Sequence, residues 1–361
     1  MDTRCKIVLW LALLPFSVQL GVSQERVSKT LEERFSLTGA GKLEIDNKYG
    51  NIELTGWERD DVQIKVGITV THHKKDNAEN LLERIRPIFK SGKGFVSIST
   101  EISRKRSNWI VNLLNGPEAK DIDLGQVQIN YSIFLPKNAG LKITNRFGNV
   151  VIQEWNGELN TLMEHGDLWL GKDVDKAKIY HKFGRIKAQS IKQGELYLKN
   201  GELEMRDSET LQLNSEGSEI NLQVMDTLQI YSVNDDITLA EVAMINGGLK
   251  FGSLRLNTLS KTLNIALKVS DLRLNRIIGH GSSLLIEQES SNLELNVTDF
   301  PHHFEAIMEG GIVQLPSSFE KVDSQILDKK KVIRKISADY GNQGKGYIQI
   351  KGTKGILKIL E

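Results

Sequence analysis

The sequence predicts an all-β protein, a single-chain parallel β-solenoid with about 17–18 residues per coil. Three observations carry this reading. Apolar–x–apolar pairs return with that period, no proline occurs in the 164 residues from 137 to 300, and glycines stand at the turns before many of the pairs. The expected organisation is a signal peptide over 1–23, N-terminal strands with a first coil and a capping helix over 24–140, repeated coils over 141–300, and C-terminal capping strands over 301–361.

The chain opens on a targeting signal. Arg4 and Lys6 precede an apolar run over 7–16, and small Gly21 and Ser23 follow. That order is the order of a secretory signal peptide, with cleavage expected after Ser23. The run is too short to span a bilayer as a helix, and no later segment is apolar enough to do so. The single cysteine, Cys5, lies ahead of the apolar run, where a lipid anchor is not attached. The mature chain therefore has no cysteine, which excludes disulfides, thiolate zinc sites and cysteine nucleophiles. Lys+Arg 47 against Asp+Glu 46 gives a net charge of +1, without the basic excess of a dedicated nucleic-acid binder.

Next comes a region of strands around one helix. Asn47-Lys48-Tyr49-Gly50-Asn51-Ile52-Glu53-Leu54 mirrors Asn145-Arg146-Phe147-Gly148-Asn149-Val150-Val151-Ile152, so an early coil stands apart from the rest, separated by an insertion. Within the insertion Asp76 and Glu79 read as a capping box. Ala78, Leu81, Leu82 and Ile85 follow at helical spacing, and Pro87 limits the run. An amphipathic helix over 77–89 is expected, lying on a sheet face or over the open end of the solenoid.

The repeat itself begins at Gly148. Val150/Ile152, Leu168/Leu170, Ile186/Ala188, Leu203/Met205, Ile220/Leu222, Ile237/Leu239, Leu254/Leu256, Leu272/Leu274 and Leu293/Leu295 form one series of pairs. A second series runs between them, from Ala177/Ile179 and Leu196/Leu198 to Leu284/Ile286. Residues two apart share one face of a strand. A strand of about five residues and a turn of about four then fill each half-period, and stacked coils bury a column that no single coil could bury alone. Proline would remove a ladder N–H, so its absence fits. Gly148, Gly166, Gly184, Gly201 and Gly217 are expected to supply positive φ at sharp turns. Asn257, Asn275 and Asn296 close three successive Leu-x-Leu-Asn units and predict an asparagine ladder. The alternative is an antiparallel meander or barrel. After Pro301 and Pro316, the segments 347–350 and 356–360 read as closing strands.

No catalytic constellation emerges. A calcium β-roll needs a regular Gly-Gly-x-Gly-x-Asp repeat, and Gly247-Gly248 stands alone. A polysaccharide lyase needs clustered carboxylates and a base, whereas Asp173, Asp175, Asp235 and Asp236 sit at turns on non-adjacent coils. His72-His73 and His302-His303 are neighbours on strands, pointing to opposite faces. Lys329-Lys330-Lys331 with Arg334 and Lys335 read as a solvated edge. The candidate interaction loop is Arg104, Lys105, Arg106, Trp109, Ile110 and Leu113: a basic cluster leading into an aromatic–aliphatic stretch suits a membrane interface or a partner, and the alternative is that Trp109 and Leu113 fold back onto the cap. No metal and no cofactor is expected.

Phe35-Ser36-Leu37-Thr38-Gly39, Leu43-Glu44-Ile45-Asp46-Asn47, Gly50-Asn51-Ile52-Glu53-Leu54 with Trp57, and the later Tyr131-Ser132-Ile133-Phe134-Leu135-Pro136, Leu141-Lys142-Ile143 and Gly148-Asn149-Val150 resemble a bacterial putative-adhesin family. The likeness covers most of the mature chain and departs from the family over 103–123, where a tighter connection is expected. The resemblance implies an exported β-helical domain in a bacterial envelope, in the periplasm or at the cell surface. The function expected is a non-enzymatic, adhesin-like scaffold that presents a rigid surface to a glycan or an envelope protein. It has no nucleic-acid partner and no transmembrane helix, and it touches membrane at most peripherally. The alternatives are a carbohydrate-active enzyme on the same scaffold and a structural envelope protein.

Overall fold

The computed structural model describes residues 24–103, 126–279, 281–341 and 345–361. They form an all-β architecture, one hydrogen-bonded sheet of 26 strands with one α-helix among the described residues, and the sheet does not close into a barrel.

Its central feature is a parallel register that advances one period at a time. Ile52, Val150, Leu168, Ile186, Leu203, Ile220, Ile237, Leu254, Leu272 and Leu293 face one another in succession. A second line runs Leu141, Leu159, Ala177, Gly194, Leu211, Leu228, Ile245, Leu263 and Leu284. The apolar members of both lines are buried. Both pair series read from the sequence therefore point into one continuous core. Asn47 faces Asn145 in the same register, so the early coil pairs with the first coil of the main run, across the insertion.

The expected short strands occur at either end of the repeat, as in Val150–Gln153, Leu168–Leu170 and Asn292–Asn296, and fuse into long ones in its middle. Arg185–Lys199, Glu202–Glu216, Glu219–Val233 and Asp236–Lys250 each run 15 residues and carry both pair series. Each bends between the two series around one buried residue. Val174, Ile191, Ser208, Met225, Val242, Leu259 and Ile277 make this third column, absent from the sequence reading. The pairing skips residues at each bend, as at Ile191 and Lys192, and shifts register between Val242 and Met244, yet the strands on both sides of the bend keep their neighbours.

The glycine expectation holds for Gly148, Gly184 and Gly217, at φ of 134°, 159° and 66°, and needs correction for Gly166 and Gly201. The left-handed position is held by His165, Phe183, Asn200, Gly217, Asn234, Phe251, Val269 and Ser290, with φ between 50° and 66°. Each of their N–H groups donates to a carbonyl one coil on, as in Phe183 to Lys199 and Val269 to Glu289. Gly166 and Gly201 are not among the residues at positive φ. They are needed for close approach: a Cβ on Gly166 would stand 2.1 Å from the Gly148 carbonyl oxygen, and one on Gly201 2.6 Å from that of Gly184.

Beside these turns the core holds a polar column that satisfies turn carbonyls and amides. Asn145 Nδ2 donates to Gly148 O at 2.8 Å, and Asn47 Nδ2 to Gly50 O at 3.2 Å. His181 Nε2 lies 2.8 Å from Gly166 O. Asp235 accepts from Ser215 Oγ, Ser232 Oγ and Ser218 N. Gln288 Oε1 accepts from Ser291 N. Burial holds the His181 imidazole below its ordinary pKa, against the pull of the Gly166 carbonyl and the Asp167 charge.

The ends depart from the expected caps. The helix runs Lys75–Arg84, not 77–89, because Ile85 turns extended and Ile85–Gly92 pairs antiparallel with Phe95–Ile102, carrying Pro87 inside a strand. No capping box forms: the N-cap is Lys74 without a side-chain bond, and Asp76 sits in the first turn. Ala78 and Leu81 are buried, and the helix packs on the antiparallel pair Glu25–Ser36 and Asp61–His72. Lys29 Nζ donates to Leu82 O at 2.8 Å and to Ile85 O at 2.6 Å, placing a cation at the helix C-terminus. At the other end, Gly346–Thr353 inserts between Ser283–Glu289 and His302–Glu309. Ile356–Leu360 inserts likewise between Asn292–Asn296 and Ile312–Gln314. The last strands of the chain thus lie inside the stack. The asparagine ladder shrinks to one rung, Asn275 Nδ2 to Asn257 Oδ1 at 3.3 Å, because Asn296 Oδ1 accepts from Thr298 instead.

Removing residues 203–219, one full period, is expected to keep the fold, because Glu202 then leads into Ile220 in phase. Removing 203–211 breaks the phase and is expected to abolish soluble expression; equal yield and circular dichroism for the two deletions would refute the register. A β-branched residue at positive φ costs on the order of 1–2 kcal/mol, so Val269→Asn, half exposed in the native protein, is expected to raise stability in urea titrations by about 1 kcal/mol. For His181 the folded pKa is depressed, so the folded state binds fewer protons and stability falls as pH drops below the ordinary value of 6.5. The melting temperature is expected to fall between pH 7 and pH 5, and to fall less in His181→Asn. Buried His302, shifted the same way, leaves a residual slope.

Candidate functional site

Alternation along a strand sends every second residue outward, so a parallel register turns outward residues into columns. On the strands of the second series one such column reads Leu162, Tyr180, Tyr197, Asn214, Tyr231, Gly248, Ala266, Glu287 and Lys351. A neighbouring column, two residues on, reads Glu164, Lys182, Lys199, Glu216, Val233, Lys250, Lys268, Glu289 and Thr353. Between them lies an axial groove. One part, of about 390 Å³, is lined from Leu162 to Tyr231. The next, of about 660 Å³, continues from Tyr231 and Val233 to Lys351 and Thr353.

The aromatic wall is ordered by stacking. Tyr180 and Tyr197 lie ring on ring, centroids 4.4 Å apart and 5° from parallel. Lys178 Nζ sits over both, 5.5 and 5.9 Å from their centroids, and pairs with Glu195 at 2.9 Å. Tyr197 Oη donates to the same carboxylate at 2.7 Å. Tyr231 is half exposed, and its hydroxyl accepts from Gln229 Nε2 at 3.1 Å. The Tyr197 and Lys178 hydrogen bonds hold the Glu195 carboxyl below the usual carboxylate range, and that carboxylate raises Tyr197 and Lys178 in turn. The network fixes the charges of its members at neutral pH. It gives the tyrosines a defined position on the surface: the Tyr197 and Tyr231 hydroxyls are hydrogen-bonded, and Tyr180 is held by stacking on Tyr197.

A second aromatic line follows the turn corner. Tyr49, Phe147, His165 and Phe183 stack in sequence, with centroids 5.6, 5.2 and 4.8 Å apart. Phe147 and Phe183 are more than two-fifths exposed. Phe251 and Val269 extend the corner further along at equivalent left-handed positions.

The turn acids named by the sequence have structural roles. Asp235 is buried under three hydrogen bonds, and Asp175 pairs with Lys192 at 2.5 Å. Asp236 accepts from Ser253. The carboxylates whose acidity is shifted, Glu44, Glu195, Glu305 and Asp339, all lie below the ordinary range, held by lysine, tyrosine or histidine partners. A general acid needs the opposite shift. No group of three or more His, Cys, Asp or Glu side chains is placed to hold a metal ion among the described residues. His302 is buried against Phe300, while His303 is exposed and bonds Asp339 at 2.8 Å. In the basic run, Lys335 pairs with Glu305 at 2.7 Å, and Asp328 Oδ1 accepts the amides of Lys330 and Lys331. Arg104, Lys105, Arg106, Trp109, Ile110 and Leu113 lie outside the described residues, as do residues 1–23, where a signal peptide is expected. The tyrosine column was missed, although its signal was present: Tyr180 and Tyr197 stand one 17-residue period apart, and Tyr231 two periods further.

No described helix is long and apolar enough to cross a membrane. No protein-family model and no curated protein matches the sequence. Among solved structures, the chain is similar to a putative adhesin from Bacteroides fragilis, 12% identical over 92% of this chain and 97% of that one, with a TM-score of 0.25. It is similar also to a putative adhesin from Parabacteroides distasonis, 11% identical over 72% and 97%, with a TM-score of 0.30. A third is a putative cell adhesion protein from Clostridium sporogenes, 11% identical over 92% and 99%, with a TM-score of 0.19.

Proposed function

We propose that this chain is an exported, non-enzymatic interaction module of a bacterial envelope, a parallel β-solenoid that presents an adhesin-like face to a glycan or an envelope protein. One observation carries the reading. The outward residues of the second strand series form continuous columns over nine paired strands; among them Tyr180 and Tyr197 are stacked, and Tyr197 and Tyr231 are hydrogen-bonded in place. A surface of this kind repeats the same contact at each strand, so weak contacts add along a line. The lowered carboxylates beside it favour binding over acid–base work.

The domain plan that goes with this function is a signal peptide over 1–23, a capping region to 140, coils to 300 and closing strands to 361. The basic–aromatic segment holding Arg104, Lys105, Arg106, Trp109, Ile110 and Leu113 serves as a second, peripheral contact with membrane or partner. That assignment rests on its composition.

The full chain, expressed in a Gram-negative host with its leader, is expected in the envelope or medium with a new N-terminus near Gln24. The purified mature protein is expected to co-sediment with envelope fragments. Trp109→Ala and an Arg104, Lys105 and Arg106 to Gln variant are expected to weaken the association with liposomes at low salt and to leave thermal stability unchanged. Retention in the cytoplasm with an intact leader, or no co-sedimentation, would reject the proposal.

A further inference from the structure

We propose that the groove beside the tyrosine column binds an uncharged linear polysaccharide lying along the stacking axis. This deepens the reading of the chain as an interaction module and rests on it.

The first argument is shape. From Leu162 to Lys351 the wall crosses eight strand spacings, roughly 38 Å at the usual separation of neighbouring strands. Small-molecule sites enclose their ligand on most sides. This groove is open and elongated, and the two stretches share Tyr231 and Val233. A linear polymer fills it, and a single small ring does not.

The second argument is charge. Around the tyrosines the lining holds Lys182 and Lys199 against Glu164 and Glu216, which sum to zero. Further along it holds Lys250, Lys268 and Lys351 against Glu287, Glu289 and Glu309, again zero. Lys199 pairs with Glu216 and Lys268 with Glu289 along the axis, so part of this charge is already compensated. An acidic polymer would meet as many carboxylates as ammonium groups. A hydroxyl-rich neutral chain meets alternating donors and acceptors, and every one of them can bond a hydroxyl. Lys182, Lys250 and Lys351 carry no ion pair among the described residues and remain free to donate.

The third argument removes a peptide. An extended peptide binds a sheet by adding to an exposed edge, where backbone groups are unpaired. The strands from Arg185–Lys199 to Asp236–Lys250 have a parallel neighbour on each side. Their backbone is already used, so a peptide in the groove would leave its own amides without main-chain partners. An acyl chain fares worse, because ten charged side chains line the same groove. A saccharide brings its own hydroxyls and an apolar ring face, which can lie on half-exposed Tyr231 and along the outer edges of the stacked Tyr180 and Tyr197.

The test is affinity electrophoresis of the mature protein in native gels. The gels are cast with neutral polymers (hydroxyethyl cellulose, galactomannan, xyloglucan, dextran) or acidic ones (alginate, polygalacturonate). At least one neutral polymer is expected to retard the wild type equally at low and high salt. A Tyr180→Ala, Tyr197→Ala, Tyr231→Ala triple variant is expected to lose affinity by about tenfold or more. Trp169→Ala, an equally exposed aromatic on the other strand series, is expected to bind as wild type. Circular dichroism and melting temperature confirm that the triple variant is folded. Should it misfold, Tyr231→Ala and Lys250→Gln alone are expected to weaken retardation. Retardation by acidic polymers alone, salt-sensitive binding, or an unaffected triple variant would overturn the assignment. If the wild type co-sediments with envelope fragments yet ignores every neutral polymer, the groove assignment fails and the interaction reading stands. If it does neither, both fail.

Discussion

Everything in the repeated stack follows from one constraint: each of its strands must keep a parallel register with its neighbour at a spacing of about 4.8 Å. A ladder that advances 17 or 18 residues per step allows no proline and few insertions. It also forces turn backbones into close contact. The glycines answer to this spacing, since a Cβ on Gly166 or Gly184 would collide with the carbonyl of the preceding turn. The same spacing brings Tyr180 onto Tyr197 and Phe147 onto His165. Ring stacking here is imposed by the backbone and then exploited by the side chains.

The turn corner shows what the constraint costs. A left-handed residue recurs at each turn, and at Phe183, Phe251 and Val269 it is a residue that disfavours that conformation. Burial does not offset the cost, because all three remain about half exposed. The core side of the corner needs polar groups to satisfy the turn backbone, and it recruits a different residue type at different levels: asparagine at 47 and 145, histidine at 181, aspartate at 235, glutamine at 288. The geometry is conserved from coil to coil although the chemistry is not. A buried histidine in such a position ties the stability of the stack to pH.

On the outer face the same register has a different consequence. A side chain that would be an isolated surface feature elsewhere becomes part of a line. Tyr197 is held by Glu195, which is held by Lys178 from the preceding strand, so the network spans two levels of the stack. Ion pairs follow the axis in the same way, from Lys199 to Glu216 and from Lys268 to Glu289. Exposed pairs of this kind add little stability individually. Their effect is to fix where charge and aromatic surface lie along the groove, which is what recognition of an extended partner requires.

Much of this was legible in the residues alone. Period, inward pairs and the match of Asn47 to Asn145 could be read because burial on a strand imposes a two-residue pattern that survives in one dimension. The third buried column could not, since Val174, Ile191 and Met225 stand singly and have no apolar partner two residues away to mark them. Phe183 and Val269 at left-handed φ contradict local preference, so only the stacked neighbours could place them there. The helix ended five residues early because Pro87 does not continue a helix, and Ile85 and Phe89 enter a strand paired with Phe95–Ile102. The final strands fell inside the stack because apolar alternation says that a strand is buried, never which neighbour buries it. The groove followed the same rule: its tyrosines were visible at one and two periods, but which outward columns face each other was decided by the register in three dimensions.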